Sequence, residues 1–110
     1  RGSAKMMQIY LGEADRWHDE PLHEAILKQF QMMDIAGATV YRGILGYGAK
    51  HNPHTGHLFH LAHNFPIMIS VVDKQEKIEE AIATIRPMMG EVFIVLSDVE
   101  TVRLAPDLPT

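Results

Sequence analysis

Gly37-Ala38-Thr39-Val40-Tyr41-Arg42-Gly43-Ile44-Leu45-Gly46-Tyr47-Gly48 decides how this chain is read. The run begins β-branched and aromatic, which suits a strand, and then breaks at Gly43, Gly46 and Gly48. Glycines so closely spaced let the backbone take a path that side chains would obstruct, or let a ligand come close to it. Beyond them lies a polar stretch carrying His51, His54, His57, His60 and His63, which cannot be core. We therefore expect a strand over Ala38–Tyr47 and a loop at about 49–64. So long a connection in a small domain is either functional or disordered.

Working outward, Met7, Ile9 and Leu11 alternate with Gln8, Tyr10 and Gly12, the pattern of a half-buried strand. Pro21 suits the first position of a helix whose stripe is Leu22, Ile26, Phe30 and Met33, with Ala25 beside it. That helix should stop near Asp34, a residue that tolerates the left-handed region better than most. Pro66–Asp73 reads as a third strand, and Asp73 with Glu76 as a variant capping box. The second helix carries Ile78, Ile82, Ile85 and Met89 on one face; Pro87 should weaken it around Arg86. Glu91–Leu96 and Val99–Leu104 are the expected fourth and fifth strands.

The order is strand-helix-strand, long loop, strand-helix-strand, then an extra strand. Two right-handed halves of this kind give an α+β ferredoxin-like βαββαβ sandwich, with both helices on one face of an antiparallel sheet. The other face stays uncovered, lined by residues such as Tyr10, Tyr41 and Phe93, and predicts a homo-oligomer.

A chain of 110 residues supports one domain and one core. At 46% hydrophobic and 22% charged it has the composition of an ordinary globular protein. A net charge of −4 removes the electrostatic case for nucleic acid or an anionic membrane. The absence of cysteine excludes disulfides and thiolate metal sites, and fits a reducing cytoplasm. The longest apolar run, Val92–Leu96, is strand length and too short to span a bilayer. Residues 1–5 read as an expression scar ahead of a single domain at 6–110, with a native start at Met6 or Met7.

Ile9-Tyr10-Leu11-Gly12-Glu13, Pro21-Leu22, Gly37–Gly43, Gly46-Tyr47-Gly48, Pro66 and Val71-Val72-Asp73 together resemble the PII-like proteins of domain-of-unknown-function family 190. The resemblance runs from about Met7 to Leu104. Its wider superfamily holds the nitrogen-regulatory PII proteins and the copper-tolerance CutA proteins, which implies a trimer with inward-facing sheets. It also implies adenine nucleotides in inter-subunit clefts at the base of the loop after strand two. Gly37-Ala38-Thr39-Val40 resembles the PII segment Gly-Met-Thr-Val, and Gly46-Tyr47-Gly48 its Gly-Phe-Gly. Val102-Arg103 resembles the Val-Arg that carries a phosphate-binding arginine. Ala49, Glu91 and Ala105 depart from PII, where arginine, lysine and arginine stand. A carboxylate in place of that lysine would repel a polyphosphate by several kcal/mol at an effective dielectric of about 20. The resemblance thus implies AMP or ADP rather than ATP.

Each site reading has a plainer rival. The cluster of Gly43, Gly46 and Gly48 could cradle phosphate through backbone N–H groups, or simply be a bulged strand in close contact between subunits. It is neither a Walker loop nor a dinucleotide fingerprint. Arg42 could clamp a phosphate or carboxylate, or form an ion pair between subunits. Lys50 could add charge to the same cleft, or be solvated. His51, His54 and His57 have the donors for zinc, nickel or copper, but His-x-x-His-x-x-His in a loop favours a solvated, pH-sensitive segment, and no metal site is assigned. Asp15, Asp19, Glu20, His18 and Trp17 cluster without a nucleophile, so no catalytic residue is assigned and no enzyme is expected.

The expectation is a cytoplasmic trimeric signalling protein that requires no cofactor and takes an AMP or ADP effector. The ligand residues would be Thr39, Arg42, Gly43, Gly46, Gly48, Lys50 and Arg103. The loop would report to a partner, by analogy a membrane transporter or ion channel, without membrane insertion or nucleic-acid binding. The alternatives are a CutA-like metal-binding trimer using the histidines, and a structural trimer without ligand.

Overall fold

The computed structural model describes residues 2–46, 64–90 and 92–106. Strand β1 runs Gly2–Gly12, followed by the two-residue strands β2 (Arg16–Trp17) and β3 (Glu20–Pro21). Helix α1 spans Leu22–Met32, β4 Gly37–Arg42, β5 Pro66–Asp73 and α2 Gln75–Ile85. A 3₁₀ turn at Arg86–Met88 leads toward β6, Phe93–Thr101. The main sheet has the order β4-β5-β1-β6. Its three pairings are all antiparallel. This is the ferredoxin-like α+β architecture that the two-half pattern predicts.

Period-two alternation builds the core. Met7, Ile9 and Leu11 of β1 lie opposite Val71, Ile69 and Ile67 of β5, and all six are buried. They pack against Leu22, Ile26 and Phe30 of α1 and Ile78, Ala81 and Ile85 of α2 in one cluster, so both helices cover the same sheet face. Of the helical stripes read from the sequence, Leu22, Ile26, Phe30, Ile78 and Ile85 are buried, while Met33, Ile82 and Met89 are partly buried against them, Met33 and Met89 lying beyond the helix ends.

On the other face, register aligns Tyr41, Met68, Tyr10 and Phe93 in one row across all four strands. Tyr41 is 53% and Phe93 56% exposed. The Tyr10 and Phe93 rings stand 6.3 Å apart. The uncovered apolar face is therefore present, and the residues named for it are on it.

Five details differ from expectation. The strand expected over Ala38–Tyr47 ends at Arg42, because Gly43 turns back onto the Pro66 carbonyl. The fourth and fifth strands are one strand, because nothing between Leu96 and Val99 breaks an extended chain and β1 supplies a partner throughout. β1 itself starts at Gly2, and Lys5 pairs with Asp98 at 2.6 Å. The capping box does not form: Lys74 stands at the N-cap of α2 without a side-chain cap. The Asp73 carboxylate instead accepts from the backbone N–H groups of Lys74 and Ala36, at 2.7 and 2.8 Å, and ties α2 to the entry of β4. Finally, the polar stretch after Gly12 holds the small β2–β3 hairpin, turned through His18 at φ 55°. The ends of the helices follow the sequence more closely. Asp34 takes φ 58° just after α1, and α2 gives way at Ile85 ahead of Pro87.

Candidate functional site

The glycine-punctuated segment leaves the sheet at the edge strand β4 and folds back over Pro66. Gly43 donates its N–H to the Pro66 carbonyl at 2.7 Å. A Cβ on Gly43 would lie 2.7 Å from Pro66 Cγ, and one on Gly46 3.6 Å from the same atom. The first glycine is thus required by close approach, as the spacing suggested. Ile44 and Leu45 between them are exposed.

Two further segments meet this strand end. Glu13, just past β1, donates its N–H to the Phe65 carbonyl at 2.8 Å. The Ala14 N–H donates to Asn64 Oδ1 at 3.0 Å. Gly12 leaves room for that amide, since a Cβ there would sit 2.7 Å from the same oxygen. Arg42 joins all three pieces: Nη2 donates to Glu13 Oε1 at 3.0 Å, and the guanidinium carbon lies 4.2 Å above the centre of the Phe65 ring. That geometry combines an ion pair with a cation–π contact. Because Arg42 ends β4 and Phe65 precedes β5, the clasp brackets both ends of the intervening segment.

Of the residues named from the sequence, the fold gathers Arg42, Gly43 and Gly46 here. Thr39 lies on the same strand but on the open face, while Arg42 alternates to the helix-covered side. Arg103 is exposed and follows β6 at the far end of the sheet, where Thr101 pairs with Gly2. At about 3.4 Å per residue along the strands, that is roughly 30 Å from Arg42. Gly48, Lys50, Ala49, Glu91 and the histidines His51, His54, His57, His60 and His63 lie outside the described residues. Among the described residues, no group of His, Asp and Glu is placed to hold a metal. No helix there is long and apolar enough to cross a membrane.

Sequence reasoning missed Glu13, Asn64 and Phe65 as partners of the strand end. Glu13 belonged to a conspicuous segment, but nothing local announces a contact to a residue 29 positions away. A separate hollow of about 250 Å³ lies between α2 and β6, lined by Ile82, Arg86, Met89, Gly90, Val92 and Ile94.

This topology is that of a PII-like fold. The family model for uncharacterized ACR, DUF190, matches residues 4–101, and the chain belongs to that family. A UPF0166 protein of Methanocaldococcus jannaschii is 39% identical over 82% of this chain and 79% of its own length. Among solved structures, CPII of Thiomonas intermedia, bound to ADP and bicarbonate, superposes with a TM-score of 0.65 at 19% identity. The match covers 93% of this chain and 91% of CPII. The divalent ion tolerance protein CutA1 of Ehrlichia chaffeensis gives 0.61 at 12% identity, over 91% of this chain and 84% of that one. At these identities the structural likeness speaks to the fold.

Proposed function

We propose that this protein is a cytosolic, trimeric PII-like regulator, not an enzyme, that binds AMP or ADP in clefts between subunits. The observation that carries the reading is the end of β4, where Gly43 presses bare backbone against Pro66 beside the guanidinium of Arg42. It is supported by the family and by the fold shared with CPII, whose solved structure holds ADP. The separation of Arg103 from Arg42 also favours a cleft completed by a second chain, since one chain holds them at opposite ends of its sheet. The uncovered row of Tyr41, Met68, Tyr10 and Phe93 supplies an apolar face for assembly. Thr39, Gly48 and Lys50 complete the proposed ligand set. Effector binding would change how the segment between β4 and β5 docks to a partner, by analogy a transporter or channel.

Calorimetric titration tests the reading directly. Saturable heat with AMP or ADP, weaker with ATP and reduced by Arg103→Ala, is the expected result. No heat with any of the three nucleotides refutes it. Assembly is tested separately by mass in solution: chains of 12.4 kDa should run as a trimer of about 37 kDa, and a monomer at micromolar concentration contradicts the claim.

A further inference from the structure

Arg42 already has an anionic partner. Glu13 takes one N–H of the guanidinium through a single carboxylate oxygen at 3.0 Å. The pair is accessible, with the Arg42 side chain 56% and the Glu13 side chain 28% exposed. Accessible pairs of this kind are weak and exchange readily. A carboxylate and a phosphate are alternative occupants of the same planar fork. The Phe65 ring under the guanidinium holds Arg42 at the strand end independently of Glu13.

We propose that Glu13 is an internal competitor for Arg42, occupying the guanidinium until the phosphate of a bound nucleotide displaces it. The proposal rests on the nucleotide reading above. It makes Glu13 a determinant of affinity that never touches the ligand when the site is filled. It also supplies a route for the signal. The segment carrying Glu13 is hydrogen-bonded through its backbone to Phe65 and Asn64, so freeing its carboxylate is felt where the chain re-enters the sheet.

The test is calorimetric titration of AMP into the unaltered protein, Glu13→Gln, Arg42→Gln and the double variant. Glu13→Gln should bind about threefold tighter, ~0.6 kcal/mol, the scale of an accessible ion pair. That gain should vanish in the Arg42→Gln background. Unchanged or weaker binding by Glu13→Gln, or a gain that persists without Arg42, overturns the competitor role and leaves the nucleotide reading standing. No AMP binding by any of these proteins overturns both. Binding that appears only once Glu13 is replaced supports the competitor role and removes AMP as the effector of the unaltered protein. A second measurement needs no variant: the Glu13 side-chain carboxyl ¹³C resonance should move on saturation with AMP, and a stationary resonance overturns the proposal.

Discussion

Alanine at Gly43 and alanine at Gly37 are the same chemical change at the two ends of β4, and they should act with opposite signs. A Cβ at position 43 would meet Pro66 Cγ at 2.7 Å and the Pro66 carbonyl oxygen at 3.6 Å. Carbon atoms settle at about 3.5–4.0 Å, so the strand end must retreat by most of an ångström. The proline ring cannot rotate away, and retreat stretches the 2.7 Å hydrogen bond from the Gly43 N–H to the Pro66 carbonyl. Overpacking costs about 1–3 kcal/mol and the weakened bond about 1 kcal/mol. Restricting the unfolded chain returns about 0.4–1 kcal/mol. The net expectation is a loss of about 1–3.5 kcal/mol. At Gly37 a Cβ meets nothing within 4 Å. There the restriction acts alone, and Gly37→Ala should gain about 0.5–1 kcal/mol. Urea unfolding at one fixed protein concentration reads both, because an oligomer's midpoint depends on concentration. With a slope of about 1–3 kcal/mol per molar, the midpoints should separate by roughly 1–2 M. A Gly43→Ala midpoint at or above that of the unaltered protein would refute the close-approach argument.

Charge placed on the open sheet face should break assembly without unfolding the chain. Tyr41→Glu is expected to lower the mass in solution while circular dichroism stays unchanged, and an unaltered mass would remove this face from the interface. The Lys28 ammonium is raised above its ordinary 10.5, first by its hydrogen bond to Glu20 and then by that residue's charge. A raised folded-state value means that the stabilisation is complete below 10.5 and lost as pH climbs through the raised value. The melting-temperature difference between the unaltered protein and Lys28→Gln should therefore be flat from about pH 6 to 9 and shrink only in strong base. A change near neutrality would contradict the assignment.

The path from sequence to site was legible in unequal parts. Period-two and period-3.6 patterns depend on each residue's own apolarity, so the core stripes through Ile9, Phe30 and Ile78 could be read directly. The bare backbone at Gly43 was legible for a similar reason, since only glycine answers a close approach there. Asp73 shows the limit. Its spacing to Glu76 has the form of a capping box, yet its carboxylate is drawn to the Ala36 N–H, 37 residues away, because the fold brings that donor nearer. The break assumed between Leu96 and Val99 failed likewise, since β1 extends far enough to pair with the whole strand.

The sequence by itself determined the α+β architecture, the single core, the open face and the glycine-lined strand end. These follow from local composition and periodicity, which can be read without knowing which distant segments meet. Only the tertiary structure decided what Arg42 faces. Glu13, Arg42 and Phe65 are scattered along the chain and share no spacing rule. They meet because β1 and β4 finish where antiparallel β5 begins, and opposite charges and an aromatic ring brought that close interact whatever their separation in sequence.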